Sequence, residues 1–283
     1  MNISLEFFPP ANLDFNALLS EYKKLEHLDP SFVSVTYGAG GGAENKSLEL
    51  IKALKKNNLD IAAHITLVNK SIDDLEKIVS DFEKLGVKKF VALRGDSPEG
   101  KFKQHPNGFY NTSDFVEFLN NKNFEVIVSA YPEPHPDSKG FDFDLQLLKN
   151  KSESGAKKAI TQFCFSKDDY EKLIEAVLKE NIEVEVIPGI MPIYNIENIT
   201  RMAEKCGTKV PPNIINKFGD DDISNQKYAI EICNDQLDYL SELGCQKFHF
   251  YTLNKSYLIN KIFREYWYRK CNETRSRLSR IRT

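Results

Sequence analysis

The chain has 283 residues, 41% of them hydrophobic and 28% charged, with a formal net charge of −3 at pH 7. That charge balance gives no overall attraction for nucleic acid or an anionic membrane, and no apolar run approaches the roughly 18 residues of a membrane span. The N-terminus does not read as a signal peptide and the five cysteines are widely spaced, so we expect a reduced, cytoplasmic protein.

Eight strand-like runs recur along the chain, with helical patterns between them. Each run is short, rich in β-branched or aromatic residues, and bounded by Gly, Pro or Asn. They are Ile3–Phe8, Phe32–Thr36, Ile61–Thr66, Lys89–Arg94, Glu125–Tyr131, Ala159–Phe163, Glu183–Ile187 and Lys247–Tyr251. The first seven begin about 30 residues apart, the length of one βα unit. The pattern predicts an α/β fold, a single (β/α)8 TIM barrel over residues 1–262. An open doubly wound sheet is the alternative, because periodicity does not show closure.

The helical patterns carry their own boundary signals. The clearest runs from Ser71 to Leu85, where Ser71 and Asp74 form a capping box at the start. The longer gap before the last strand holds two patterns, Ile196–Lys205 and Ile223–Leu243. We therefore expect an extra helix before the last strand.

Residues 263–283 are predicted to be a basic C-terminal extension. From Lys261 onward there are eight Lys or Arg residues against two Glu, a surplus of six. The extension is either an arm that binds nucleic acid or an acidic partner, or a solvated terminal helix with a frayed tail. We favour the second interpretation, because charge runs at chain ends are usually solvated.

In a TIM barrel the chemistry lies at the carboxyl ends of the strands. The first strand carries Glu6, which alternation directs into the lumen while Phe7 faces the helices. A carboxyl group among aromatic and Pro residues is costly to ionise, which suits a general acid. A structural Glu paired with a barrel cation is an equally good interpretation of this segment alone.

The second strand leads into a Gly-rich loop. Gly38-x-Gly40-x-x-Ala43 formally fits a dinucleotide fingerprint, with Asp60 near the position expected for an acidic residue. The fit is weak, because the motif follows the second strand of eight and Gly-rich loops have many uses.

The remaining strand ends carry aromatic and polar residues that would line the carboxyl end of the barrel. Polar or aromatic side chains stand at or near the ends of the third to sixth and the eighth strands: His64, Arg94-Gly95-Asp96, Tyr131, His135, Gln162, His249 and Tyr251. The histidines have no metal-ligand spacing, so no metal is expected. By themselves these residues predict an oxidoreductase or lyase barrel with one candidate acid, and they name no substrate.

Seven motifs in chain order at these strand ends closely resemble bacterial methylenetetrahydrofolate reductase. They are Glu6-Phe-Phe-Pro-Pro, Val33-Ser-Val-Thr-Tyr-Gly-Ala39, Ala92-Leu-Arg-Gly-Asp96, Ala130-Tyr-Pro-Glu, Ala159-Ile-Thr-Gln-Phe163, Ile187-Pro-Gly-Ile190 and Phe248-His-Phe-Tyr-Thr-Leu-Asn254. The resemblance implies a ping-pong reaction. NADH or NADPH would reduce bound FAD, and the flavin would then pass a hydride to 5,10-methylenetetrahydrofolate to give 5-methyltetrahydrofolate for methionine synthesis.

The resemblance also implies roles for individual residues. Glu6 matches the family's general acid, and Asp96 matches a catalytic carboxylate near the flavin that also contacts the pterin. Gln162, Tyr251 and Lys255 match or resemble substrate-side positions. With Asp96, the positions that match FAD contacts are Thr36, His64, Arg94, Gly95, Ala130, Tyr131, His135, Asp144 and Lys151.

Two positions depart from the family. Met202 stands where close relatives have Phe, and Lys255 where some have Arg.

Relatives suggest a homo-oligomer with a small-molecule folate substrate. The alternatives are another flavin barrel such as a proline dehydrogenase-like oxidoreductase, a flavin-free methylenetetrahydrofolate reductase, or a non-catalytic protein whose basic tail binds nucleic acid.

Overall fold

Strands and helices alternate along the chain, as predicted. The computed structural model describes residues 1–37, 43–95 and 104–281, except for the side chains of 43–45 and 273–281. The strand segments are β1 (Asn2–Phe7), β2 (Val33–Val35), β3 (Ile61–Thr66), β4 (Lys89–Leu93), β5 (Glu125–Ala130), β6 (Lys158–Thr161), β7 (Glu185–Ile187), β8 (Gly189–Ile190) and β9 (Lys247–Tyr251).

The helices lie between the strands and after the last of them. They are α1 (Phe15–Lys23), α2 (Ala43–Lys55), α3 (Ile72–Lys84), α4 (Thr112–Asn121), α5 (Phe141–Glu153), α6 (Lys167–Lys179), α7 (Ile196–Cys206), α8 (Pro212–Ile215), α9 (Asp222–Glu242) and α10 (Tyr257–Ile281), with a 3-10 turn at Glu26–Leu28.

The sheet closes into a barrel at its seventh predicted strand, which is broken in two. The strand order is β7-β6-β5-β4-β3-β2-β1-β9-β8, with every pairing parallel. Only Pro188 separates β7, which pairs with β6, from β8, which pairs with β9. Pro188 has no N–H to donate, but its carbonyl accepts the His249 N–H at 2.9 Å. The predicted TIM barrel is therefore confirmed, and the open sheet is wrong.

Alternation along the strands separates two apolar cores. On β1, Ile3, Leu5 and Phe7 are buried against the helices, and Phe7 meets Tyr22 edge to face at 6.4 Å. A second cluster fills the lumen with Phe32, Ala62, Val91, Ile127, Ile160 and Ile187. Each large side chain buried in either core contributes roughly 1.5–3 kcal/mol. The lumen cluster closes the barrel below the strand ends, so the lumen is a packed interior rather than a pore.

The helix boundaries follow the capping signals. Ser71 Oγ accepts the Asp74 N–H at 3.1 Å, while the Asp74 carboxylate accepts the Ser71 N–H at 3.0 Å. The predicted capping box is thus confirmed at the start of α3. Between β8 and β9 the chain forms α7, the short α8 and the long α9. The extra helix before the last strand is confirmed, and α8 is an addition that the pattern did not predict.

Helix α10 runs without interruption across the predicted domain boundary at residue 262. Phe263 and Tyr266 are buried, and the Arg269 guanidinium and Lys270 ammonium lie 2.7 Å and 2.8 Å from the Asp238 carboxylate on α9. The division into a barrel and an extension at this point stays a prediction. Among the residues that the structure describes, no helix is long and apolar enough to span a membrane.

Ion pairs join neighbouring strands at the amino-terminal end of the barrel. Lys89 lies between the carboxylates of Asp60 and Glu125, and Glu125 also meets the Lys158 ammonium at 2.5 Å. Asp60 therefore lies at the amino-terminal end of the barrel. Gly38 and Gly40 of the dinucleotide fingerprint lie outside the described residues, so that fingerprint stays a prediction.

Candidate functional site

Several predicted site residues follow the strands directly. The strands end at Leu93, Ala130 and Thr161, one or two residues earlier than predicted. Arg94, Tyr131 and Gln162 are consequently the first residues of three loops at the carboxyl end of the barrel. Backbone bonding continues into one of them, because the Gln162 N–H donates to the Ala130 carbonyl at 2.9 Å.

Glu6 lies in the lumen at the same end, between two imidazoles. Its Oε2 is 3.6 Å from His64 Nε2 and 3.8 Å from His249 Nε2, and its side chain is 17% exposed. Phe7 points to the helices by alternation and Phe8 is exposed, so these two rings do not provide the aromatic wall expected at Glu6. The immediate surroundings of the carboxyl group are thus polar and mostly buried.

His64 is a neutral neighbour of this carboxyl group. Burial lowers the pKa of His64 to about 4, the Glu6 carboxylate opposes the shift, and His249 adds to it. The imidazole is therefore uncharged near neutral pH and does not form an ion pair with Glu6. Its buried Nε2 has no hydrogen-bond partner among the described residues, which is unusual for a buried polar atom and typical of a site that awaits a ligand.

His249 is held rigidly on the other side of Glu6. It is fully buried, its Nδ1 lies 2.7 Å from Ser4 Oγ, and its Nε2 lies 3.4 Å from Ser34 Oγ. The sequence indicated only that His249 points inward. The register that sets Ser4 opposite His249 on β9 creates this cluster, and no local pattern contains that information.

Tyr251 lies at the seam of the barrel, which is the place where β7 pairs with β6 and β8 pairs with β9. Its hydroxyl donates to the Thr161 carbonyl at 2.7 Å, and Thr161 Oγ1 accepts the Gly189 N–H at 2.8 Å. The Tyr170 hydroxyl donates to the Gly189 carbonyl at 2.9 Å. Burial raises the pKa of Tyr251 well above its usual value, with the Glu6 carboxylate adding to the shift. Tyr251 is therefore a neutral phenol fixed at the edge of the lumen.

The loop after β4 begins with a cation and a required glycine. Arg94 pairs with Asp137 at 2.6 Å and is about one-third exposed. Gly95 has φ +76°, and a Cβ there would lie 2.6 Å from the Thr66 Cβ, so only glycine suits the turn. The predicted catalytic residue Asp96 lies outside the described residues.

The loop after β5 presents an aromatic pair. The Tyr131 and His135 rings lie 5.1 Å apart, edge to face, and the His135 N–H donates to the Asp144 carboxylate at 2.9 Å. The Lys151 ammonium is buried and donates to the Ser129 carbonyl at 2.7 Å. Burial lowers the pKa of Lys151 to about 8, which Asp144 opposes.

Two further predicted residues lie on the rim. The Thr36 N–H donates to the Phe7 carbonyl at 3.0 Å at the end of β2. Lys255 is exposed with its ammonium 5.3 Å from the centre of the Tyr194 ring, and its carbonyl accepts the Tyr194 hydroxyl at 2.7 Å. Both positions face the carboxyl end of the barrel, on strands or loops adjacent to β1.

A cavity of about 190 Å³ lies at the other end of the barrel, lined partly by Lys89, Glu125, Lys158 and Lys247. Each of these charges is paired with a neighbour. Glu6, by contrast, lies at the carboxyl end of the barrel, where barrel enzymes carry their chemistry, and two imidazoles lie within 4 Å of its carboxyl group. Among the described residues, no group of three or more His, Cys, Asp or Glu side chains could hold a metal ion. The fold and the site together define a parallel β/α-barrel enzyme with an acid in its lumen.

Comparison with known proteins names the family. The methylenetetrahydrofolate reductase family model matches residues 1–266, and the chain belongs to this family. It is 38% identical over 264 residues to the 5,10-methylenetetrahydrofolate reductase of Buchnera aphidicola from Schizaphis graminum, covering 92% of this chain and 89% of that protein. It is 37% identical over 262 residues to the Escherichia coli enzyme of that name, covering 90% and 87%. The predicted family and enzyme class are confirmed.

A solved structure shares the fold at low identity. It is an uncharacterised Clostridium thermocellum protein described as binding two copies of 5-methyl-5,6,7,8-tetrahydrofolic acid. The TM-score is 0.62 at 15% identity, with 88% of this chain and 87% of that chain covered. The likeness supports the barrel assignment.

Proposed function

We propose that the chain reduces 5,10-methylenetetrahydrofolate to 5-methyltetrahydrofolate, with FAD as cofactor and NADH or NADPH as hydride donor in a ping-pong reaction. The observation that carries the proposal is the placement of Glu6. Its carboxyl group lies in the lumen between His64 and His249, in a chain of this reductase family. The names of the relatives supply the substrate class, and the product would serve methionine synthesis.

The chain offers groups that suit FAD at the carboxyl end of the barrel. His64 Nε2, which has no hydrogen-bond partner in the part of the chain that the structure describes, is a buried polar atom that a ligand would satisfy. We propose that Thr36, His64, Arg94, Gly95, Asp96, Ala130, Tyr131, His135, Asp144 and Lys151 hold the cofactor. When bound, FAD would supply the capacity to accept a hydride from the nicotinamide and return it to the folate.

The cations of the site differ in how they could contribute. Arg94 is partly exposed and can meet a phosphate bidentately. Lys151 is buried against the Ser129 carbonyl, so in this structure its ammonium braces helix α5 against β5. Lys151 would thus help to hold FAD indirectly, by keeping in place the loops that bind its phosphates.

Glu6 would supply the proton for the folate half-reaction. Opening the five-membered ring of the substrate breaks a C–N bond, and the departing amine nitrogen needs a proton. His64 is neutral at the working pH and adds no positive charge that would favour an ionised Glu6. The Ser4–His249 pair would fix one wall of the pocket beside the carboxyl group. Asp96 would stabilise the cationic iminium that ring opening leaves on the substrate.

Three residues would contact the folate directly. Gln162 lies at the start of the loop after β6, and Tyr251 stands across the seam with its hydroxyl on the Thr161 carbonyl. Lys255 on the rim offers an ammonium to a substrate carboxylate, although it provides a point charge rather than the fork of an Arg. A homo-oligomeric state and a cytoplasmic location stay predictions.

A two-step absorbance experiment tests the proposed function. The purified protein is expected to be yellow, to lose flavin absorbance on anaerobic addition of NADH or NADPH, and to regain it on addition of 5,10-methylenetetrahydrofolate. Colourless protein that still reduces the folate would establish a flavin-free enzyme. Flavin that is reduced but never reoxidised by the folate would favour a different flavin barrel, and either outcome would overturn part of the proposal.

We expect the Arg94→Ala variant to fold but to retain much less flavin. Its guanidinium is the partly exposed cation of the β4 loop, and loss of one charge-assisted contact weakens binding about 10- to 100-fold. Flavin per protein after gel filtration is the measurement. Asp137→Asn is the matched control, because it breaks the same ion pair without removing the cation. Equal flavin loss in both variants would show that flavin retention depends on the ion pair of Arg94 with Asp137 and not on a contact of Arg94 with FAD.

A further inference from the structure

Glu133 is a buried carboxylate in the middle of the loop after β5. It lies between Tyr131 and His135 in sequence, is only 9% exposed, and is flanked by Pro132 and Pro134. Its two oxygens lie 3.1 Å and 3.2 Å from the backbone nitrogen of Lys209, which is 76 residues later in the chain. A buried carboxylate is costly unless it accepts hydrogen bonds, so this contact anchors the loop.

A thiol of the segment after β6 lies beside the same carboxylate. Cys164 follows Gln162 by two residues, its thiol donates to the Ser166 carbonyl at 3.6 Å, and its sulfur accepts the Ser166 N–H at 3.4 Å. Burial raises the pKa of the Cys164 thiol far above its usual value, with the Glu133 charge adding to the shift. The thiol therefore keeps its proton and can lie next to the buried carboxylate without charge repulsion.

The turn after α7 supports both loops at this point. Thr208 Oγ1 donates to the Phe163 carbonyl at 3.0 Å, and Gln236 Nε2 donates to the Cys164 carbonyl at 2.7 Å. At Gly207, with φ +73°, a Cβ would lie 2.7 Å from Pro136. Residues 207–209 thus pack directly under the β5 loop while they bind the backbone of the β6 segment.

We propose that Glu133 is a positioning residue that joins the loop bearing Tyr131 and His135 to the segment bearing Gln162. It does so by accepting the Lys209 N–H, while the preceding residue, Thr208, donates its hydroxyl to the Phe163 carbonyl of the β6 segment. This inference rests on the proposed function, in which the first loop holds FAD and the second holds folate. Glu133 contacts neither ligand in the proposal, and it acts through the geometry of the two loops.

The test is the Glu133→Gln variant, which keeps the size of the side chain. Its amide has one acceptor oxygen, so it cannot offer both oxygens to the Lys209 N–H, and its NH2 group would face that donor. We expect the Kd for FAD of the flavin-free protein to rise about 10- to 100-fold, the scale of a lost charge-assisted hydrogen bond. The KM for methylenetetrahydrofolate at saturating FAD should rise while kcat changes much less.

Matched variants separate positioning from general stability. Glu180→Gln alters an exposed pair with Lys149 and should change neither constant. Thr208→Ser retains the hydroxyl that binds the Phe163 carbonyl and should keep the KM, whereas Thr208→Val should raise it. A lowered melting temperature for Glu133→Gln with Kd and KM unchanged would overturn the inference. If Glu133→Gln does not fold, equal KM values for the two Thr208 variants would overturn it.

The controls also distinguish this inference from the proposed function. Wild-type protein that binds no FAD would overturn the proposed function and the inference together. Wild-type protein that binds FAD and reduces the folate, with Glu133→Gln identical to it, would overturn the inference alone.

Discussion

The Glu6→Gln variant is expected to reduce its FAD with NADH or NADPH at a near-normal rate and to fail in the folate half-reaction. Glutamine keeps the size and much of the hydrogen bonding of Glu6, but it cannot donate the proton that ring opening requires. Removal of a general acid costs about 10²- to 10⁴-fold in rate. Hydride transfer from the nicotinamide to the flavin needs no proton from this carboxyl group, so only one half-reaction should respond.

Rapid-mixing absorbance measures the rates of flavin reduction and flavin reoxidation in the two half-reactions. Glu49→Gln is a suitable control, because Glu49 pairs with Lys52 on the surface of α2, and its side chain is about half exposed. That variant should match the wild type in both steps. Equal slowing of both half-reactions in Glu6→Gln, or no slowing of the second, would contradict the assignment of Glu6 as the acid.

The Gly189→Ala variant is expected to lose stability and folate affinity together. A Cβ at this position would collide with the Thr161 carbonyl oxygen and lie 2.6 Å from the Tyr251 ring. Overpacking of this kind costs about 1–3 kcal/mol. Relief of the clash would also move Tyr251 away from Thr161, which should raise the KM for methylenetetrahydrofolate.

Urea unfolding followed by circular dichroism, together with steady-state kinetics, tests this expectation. Gly219→Ala is the matched control, because a Cβ there would meet nothing within 4 Å, and its effect should lie within about 0.5 kcal/mol. A Gly189→Ala variant as stable as Gly219→Ala would show that the seam can relax without cost.

Local patterns in the sequence predicted the architecture and the strand ends. The βα spacing predicted the barrel, and the Ser71 and Asp74 signal predicted the start of α3. Alternation placed Glu6 in the lumen, where the structure shows it. The capping box and the strand alternation depend on residues two or three positions apart, which is the range over which the backbone geometry of a strand or a helix cap acts.

Strand register decided the surroundings of those residues, and the sequence alone did not reveal it. Alternation left the neighbours of Glu6 open, whereas the pairing of β1 with β9 sets Ser4 opposite His249 across 245 positions. The break at Pro188 likewise follows from how β7 and β8 pair with different neighbours. Such contacts depend on how distant strands align, because a slip of one residue turns every side chain to the other face.

The barrel, the family resemblance and the lumen position of Glu6 could therefore be predicted before the fold was known. The folded chain was needed to show that two imidazoles flank this carboxyl group, that Lys151 is buried against the Ser129 carbonyl, and that Glu133 accepts the Lys209 N–H. The physical reason is that hydrophobic periodicity records which face of an element is buried. It does not show which distant polar groups form hydrogen bonds with each other once that face is buried.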